Sequence, residues 1–145
     1  MMKKLHKILL TVSLGVLATG TVQADLLKEA AALDVKKVCD VKANGIDAVL
    51  ATAAKYNPEA VKLGVEFKRL GVTNSNYIKS TTAAAKAKKK EVVLEYKKKG
   101  KIKKQKLATD YAAWRACHFA IRALQQKVEA EDTWRLAVPG DGYKY

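Results

Sequence analysis

The sequence predicts an all-α fold: a four- or five-helix bundle with a long basic helical hairpin and one disulfide. Alanine, leucine and lysine are frequent among its 145 residues, and these residue types favour helix. Apolar residues recur at three- and four-residue steps in the C-terminal third, as on one face of a helix. We assign no segment to a strand, because no alternation of apolar and polar residues is convincing.

The first 24 residues have the features of a cleavable signal peptide. A basic start is followed by an apolar run of about eleven residues and by small residues up to Ala24. The apolar run is shorter than the roughly 20 residues that span a bilayer. We therefore expect cleavage after Ala24, no transmembrane span in the mature chain, and a periplasmic location, with secretion as the alternative.

The mature chain has the size of one domain. Its length of about 121 residues predicts a single helical bundle domain over residues 25–134. Residues 135–145 contain two glycines and a proline, and turn-forming residues of this kind predict a flexible C-terminal tail.

Turn signals divide the N-terminal half into three predicted helices. The first covers residues 25–43 and stops at an Asn-Gly pair, and the second covers residues 46–56. Asn57 is then a suitable N-cap for a third helix, with Pro58 at its first position. Gly71 is expected to end that helix.

Two long helices follow and form the predicted hairpin. The fourth begins near Tyr77, after a loop rich in capping residues, and runs to Gly100. Its connection to the fifth helix around Gly100 predicts an antiparallel pair. The apolar residues of the fifth helix define its buried seam: Leu107, Trp114, Cys117, Ile121, Leu124 and Val128.

Positive charge is concentrated in this hairpin. Twelve lysines and two glutamates lie between Lys79 and Lys106, which gives that segment a net charge of +10, whereas the whole chain carries +14. A concentrated field of this kind can steer an acidic partner. The predicted partner-binding residues lie at the hairpin tip: Lys97, Lys98, Lys99, Lys101, Lys103, Lys104 and Lys106.

The expected partner is an acidic protein, an anionic glycolipid or another polyanion. Peripheral contact with a membrane surface is compatible with the same charge. Nucleic acid is not expected as the routine ligand, because the segment lacks arginine for base contacts and has only Tyr96 for stacking. The competing interpretation is that lysine is simply a good helix former on a solvated face.

The two cysteines predict one disulfide. In an oxidising compartment, Cys39 and Cys117 would close a loop of 78 residues. The loop-entropy model assigns such a bridge roughly 4 to 5 kcal/mol of stability. A metal site at Cys39-Asp40 and Cys117-His118 is not expected, since adjacent helical residues point about 100° apart.

His118 is the basis of an alternative hypothesis. It follows Cys117, but Trp114 stands where the c-type haem motif C-x-x-C-H requires its first cysteine. A haem-binding helical-bundle redox carrier would use His118 as an axial ligand. We treat this as an alternative and predict no cofactor.

Catalysis is not predicted. The mature chain has one histidine and scattered carboxylates, and no nucleophile with a neighbouring base is visible. The sequence therefore favours an exported, non-catalytic binding protein of the cell envelope that contacts an acidic partner through its lysine-rich hairpin. A purely structural envelope protein is the second alternative.

Overall fold

The structure, a computed structural model, describes the backbone of residues 19–69 and 71–137 and the side chains of residues 25–69 and 71–133. The predicted signal peptide lies mostly outside the described residues, as does most of the predicted tail. Helices predominate but two small antiparallel sheets accompany them, so the all-α prediction is wrong. The elements are α1 Thr19–Ala32, α2 Val35–Val38, α3 Val41–Asn44, α4 Ile46–Lys62, β1 Lys68–Arg69, β2 Val72–Thr73, α5 Asn74–Lys86, β3 Glu91–Lys98, β4 Lys101–Ala108 and α6 Thr109–Ala137.

Two aspartates interrupt the predicted first helix. Asp34 adopts an extended backbone and its side chain accepts from the N–H groups of Lys36 and Lys37, at 3.1 and 3.4 Å. Asp40 does the same for Lys42 at 2.9 Å. Each carboxylate satisfies N–H groups that begin a new helix, so the predicted helix becomes α1, α2 and α3. This path places Cys39 at the end of α2.

The predicted second helix and the first residues of the predicted third helix form one helix, α4, which ends at Lys62. Pro58 lies inside it, although an interior proline removes one helical hydrogen bond at a cost of about 3 kcal/mol. Buried side chains on both sides of the proline, among them Tyr56 and Ala60, hold the helix against the core. Asn57 is therefore no N-cap, and its side chain is buried.

A short ribbon and α5 follow. Gly71, with φ +82°, makes the turn between β1 and β2, so it does not end a helix as predicted. The Thr73 hydroxyl accepts from the N–H of Asn76 at 3.3 Å and caps α5. The helix begins at Asn74, three residues before the predicted start, and ends at Lys86 rather than at Gly100.

The predicted helical hairpin is a β-hairpin, and this is the main correction to the fold. Val92 and Leu94 are buried while their neighbours are exposed, which is the alternation of a half-buried strand. Lys99 and Gly100 have φ values of +51° and +75°, as a two-residue hairpin turn of type I′ requires. Strand β3 packs against α5 and α6, so burial of its alternate side chains outweighs the helix propensity of lysine.

Helix α6 forms the centre of the core, as its apolar spacing predicted, but Leu107 of the predicted seam lies on β4. Ile121 and Leu124 are fully buried, whereas Trp114 and Val128 are half-buried. The predicted disulfide is confirmed: Cys39 and Cys117 are bonded, with Cα atoms 5.7 Å apart. The helix continues to Ala137, inside the segment predicted as a tail. Within the described residues, no helix combines the length and hydropathy of a membrane span.

Candidate functional site

The predicted site residues lie on the outer part of the β3–β4 hairpin, residues 95–106, which we call the lysine arm. At the base of the hairpin, Val92 packs with Ala84 of α5 and Ala112 of α6. Tyr96 is half-buried, and every side chain from Lys97 to Lys104 is exposed. From Lys97 to Lys104 the arm therefore projects from the core, and its side chains face solvent.

Strand geometry distributes the lysines over all sides of the arm. Lys98 pairs with Lys101 across the turn, and the register runs without interruption to Glu91 opposite Ala108. Because successive side chains of a strand point to opposite faces, neighbouring lysines diverge. The face that packs on the core at the base carries Lys98, Lys101 and Lys103. The opposite, outer face carries Lys97, Lys104 and Lys106, and Lys99 lies in the turn.

Little of this charge is neutralised within the protein. Lys104 lies 3.3 Å from Glu95, directly across the two strands, and both side chains are well exposed. Among the described residues this is the only ion pair on the arm. Exposed pairs contribute about 0 to 1 kcal/mol, so the remaining lysines keep a field of mutual repulsion.

Two lysines of the basic segment between Lys79 and Lys106, one of them on the arm, occupy backbone conformations that favour glycine. Lys99, in the hairpin turn, and Lys88, just after α5, both have a φ of +51°. At Lys88 the helix ends in a Schellman motif, in which the N–H of Lys88 bonds to the carbonyl of Ala85 and that of Lys89 to Ala84, both at 2.9 Å. Among the described residues, these are the only non-glycine residues with positive φ. The segment therefore carries lysine where local folding favours glycine or asparagine.

Two apolar side chains accompany the lysines on the outer face. Val93 is 47% exposed and Ile102 is 64% exposed. Their register partners are Lys106 and Lys97, so each lies directly opposite a lysine on the neighbouring strand. The outer face thus combines positive charge with apolar surface.

A buried polar network, which no pattern in the sequence indicates, fixes the core beneath α5. Asn74 donates to the side chain of Asn57 at 2.8 Å and to the carbonyl of Ala116 at 2.9 Å. Glu66 accepts from the Ser75 backbone at 2.6 Å, from its hydroxyl, and from Asn57 at 3.1 Å. Burial alone would raise the pKa of Glu66, but these hydrogen bonds outweigh it and leave the pKa below its ordinary value. The network joins α4, α5 and α6, and its role is structural.

Arg115 is a second buried polar residue of α6. Its guanidinium carbon lies 5.3 Å from the ring centre of Tyr77 and 5.0 Å from that of Phe119. Both distances suit cation–π contact in a site shielded from water. Arg115 thus belongs to the packing between α5 and α6, and no charge pattern in the sequence singled it out.

His118 lies in an aromatic strip on the exposed side of α6. Its ring is 4.7 Å from that of Trp114, which in turn stacks on Tyr111 at 5.5 Å. Burial lowers the pKa of His118, and the positive charges of Arg122 and Lys36 lower it further. Trp114 and His118 line a cleft of about 480 Å³ beside α3.

The haem alternative can be compared with the side chains that surround His118. The sulfur of Cys117 is bonded to Cys39, so it is not available for the thioether bond that a c-type motif makes. In the part of the chain that the structure describes, no three metal-ligating side chains converge. A haem role for His118 stays a prediction.

Comparison of the chain with protein-family models, with curated proteins and with solved structures finds no match. The functional argument therefore depends on the geometry and charge of the lysine arm.

Proposed function

We propose that this chain is an exported, non-catalytic binding protein that contacts a polyanionic partner through the lysine arm. The observation that carries the proposal is the pair of lysines at positive φ, Lys99 in the turn of the arm and Lys88 in the loop that leads into β3. Each occupies a position where glycine or asparagine would relieve backbone strain. A binding role for the positive charge explains why lysine occupies both positions.

The charge distribution supports the same conclusion. Seven lysines project from a thin ribbon on which, among the described residues, Lys104 alone of the lysines forms an ion pair, so their mutual repulsion is relieved when a negative surface binds. At about 0.1 M salt the Debye length is roughly 10 Å, which allows exposed ammonium groups to act together on a partner close to the arm. A partner with regularly spaced negative charges fits such an array better than a small anion.

The proposed location is the cell envelope or the extracellular space. The first 24 residues have the order of basic, apolar and small residues that directs export. The bond between Cys39 and Cys117 is of the kind that persists in oxidising compartments. Both features support a partner that is itself an exposed component of the envelope.

The proposal is tested by changing the arm lysines to glutamine and comparing the variant with one of equal charge. The arm variant carries Lys97, Lys98, Lys99, Lys101, Lys103, Lys104 and Lys106→Gln. The control variant loses the same number of charges outside the arm, at Lys28, Lys37, Lys62, Lys68, Arg69, Lys79 and Lys127→Gln. Binding of each oxidised protein to immobilised dextran sulfate is measured over a salt series.

We expect the arm variant to bind at least about tenfold more weakly at low salt, because each lysine near an anionic surface contributes about 1 kcal/mol. The control variant should stay close to the unaltered protein. Equal weakening of both variants would show that total charge alone drives retention. In that case the lysines only protect the edges of the ribbon from pairing, as in a purely structural protein.

A further inference from the structure

Strand β4, like β3, has an outer edge with no strand beside it among the described residues. Its sheet contains two strands, so β4, Lys101–Ala108, pairs with β3 on one side only. In the described part of the chain, no other backbone hydrogen bond reaches its residues. The outer edge of β4 therefore presents free N–H and C=O groups.

The turn determines which residues present these groups. A two-residue turn of type I′ at Lys99 and Gly100 makes Lys98 and Lys101 a hydrogen-bonded pair. In an antiparallel ribbon, bonded and non-bonded pairs alternate, and residues of non-bonded pairs direct their backbone groups outward. On β4 the outward residues next to the arm are Ile102, Lys104 and Lys106.

Most devices by which proteins block an open edge are missing from β4. The strand is eight residues long and contains no proline, and its one-to-one register leaves no bulge. Lysine side chains are the remaining protection. Lysines repel a second copy of the same ribbon, but they attract a strand of opposite charge. We therefore expect the edge to repel a second copy of the hairpin and to attract an acidic strand.

The outer face provides contacts for the side chains of an added strand. Ile102 is 64% exposed, with Lys104 and Lys106 following it on the same face. A strand beside β4 places every second side chain on this face. One apolar side chain can cover Ile102 while the next carboxylates meet the two ammonium groups.

We propose that an acidic protein segment in extended conformation pairs with the outer edge of β4 as a third strand. This inference rests on the proposed function, because it names the partner class of the same arm. Polysaccharides and lipid headgroups supply negative charge but lack the peptide groups needed to continue the sheet. Pairing of this kind takes affinity from backbone bonds and specificity from alternate side chains.

The first test uses an eight-residue peptide with blocked ends, added to the oxidised chain, in which one valine and then two glutamates occupy alternate positions and threonine fills the others, so that the valine and both glutamates share one face of the added strand. Amide hydrogen exchange is measured residue by residue. We expect new protection at the outward amides of Ile102, Lys104 and Lys106. The amides of Lys103 and Gln105 already face β3, so their exchange should change less.

The second test separates backbone pairing from charge with two variants at one position. Lys106→Gln removes the ammonium group, whereas Lys106→Pro also removes the outward N–H and leaves the bonds to β3 intact. Fluorescence anisotropy of the labelled peptide should show about tenfold weaker binding for Lys106→Pro than for Lys106→Gln. The amide spectrum of β3 verifies that the hairpin is kept, and if it is not, the exchange measurement on the unaltered chain decides.

The outcomes distinguish this inference from the proposed function. Peptide binding with no new protection, and with equal affinity for the two Lys106 variants, would overturn strand pairing and leave a purely electrostatic arm. Arm-dependent binding of dextran sulfate with no binding of the peptide would overturn it as well. If the arm variant bound dextran sulfate as tightly as the unaltered protein, the proposed function would be overturned.

Discussion

The lysine arm and the core beneath it share one hairpin but follow different physical rules. At the base, Leu94 is 2% exposed and its burial stabilises the fold. At the tip, Ile102 is 64% exposed and its neighbours repel each other. Between these ends, Tyr96 is half-buried. Burial at the base stabilises the fold, whereas the tip adds charge and exposed surface without adding stability, and substitutions in the two parts can test this difference.

The largest effect should come from the disulfide, which belongs wholly to the core. Replacing both Cys39 and Cys117 with serine reopens a loop of 78 residues. The loop-entropy model predicts a loss of roughly 4 to 5 kcal/mol in the free energy of unfolding. Urea denaturation of the variant and of the oxidised parent measures this loss. A change below about 1 kcal/mol would show that the helices hold the core without the bridge.

A matched pair on the hairpin tests the comparison directly. Leu94→Ala should lower the free energy of unfolding by about 2 to 4 kcal/mol, because it leaves a cavity against α5 and α6. Ile102→Ala removes a side chain of similar size from the exposed tip and should change it by less than about 0.5 kcal/mol. Thermal and urea denaturation give both values. Similar losses for the two variants would mean that the tip is packed.

Glu66 tests the buried network that fixes α5 on the core. Glu66→Gln keeps the shape but removes the charge that accepts from Ser75 and Asn57, so we expect a loss of about 1 to 2 kcal/mol at neutral pH. Its folded pKa lies below the unfolded value, so this stability is present above the unfolded pKa and disappears as pH falls through the folded pKa. Glu91→Gln, at an exposed carboxylate, serves as the control and should be neutral.

A smaller effect is expected at the turn, where stability and charge are opposed. Lys99→Asn places a residue that accepts positive φ in the type I′ turn and should stabilise the fold by about 0.5 to 1 kcal/mol. The same change removes one charge from the arm, so dextran sulfate binding should weaken slightly. Denaturation and a salt-dependent binding series on one sample measure both. A variant with unchanged stability and unchanged affinity for dextran sulfate would contradict the explanation given for Lys99.

The smallest effect concerns protonation of His118. Its folded pKa is below the ordinary value of 6.5, so the unfolded chain binds the proton first as the pH falls. Stability is therefore constant above that value and declines below it. Water reaches much of the ring and screens the effect, so the decline should be slight. His118→Gln should flatten the stability profile between pH 7 and pH 5, and an unchanged slope would contradict this assignment.

The sequence contains signals for some of the elements that were predicted wrongly. Val92, Leu94 and Tyr96 alternate with exposed residues, and Lys99-Gly100 follows at the distance of a hairpin turn. The lysine run obscured this pattern, because lysine favours helix and glycine commonly ends one. In the same way, Asp34 is a capping residue inside a run with helical spacing, and either interpretation was open.

Other features could not be predicted because they depend on residues distant in the chain. Asn57 is next to a proline and looks like a cap, but Asn74 and Glu66, 17 and 9 residues away, hold it inside the core. Arg115 is buried because rings of α5 and α6 meet around it. The cleft beside Trp114 exists only once α3 has folded against α6.

The sequence by itself determined the disulfide, the buried seam of α6 and the concentration of lysines between α5 and α6. These features follow from residue type and from spacing along one helix, which the chain carries locally. Only the tertiary structure decided that the lysines lie on strands. Helix and strand propensities differ by about 1 kcal/mol or less per residue, so the burial of Val92 and Leu94 against distant helices was enough to choose between them.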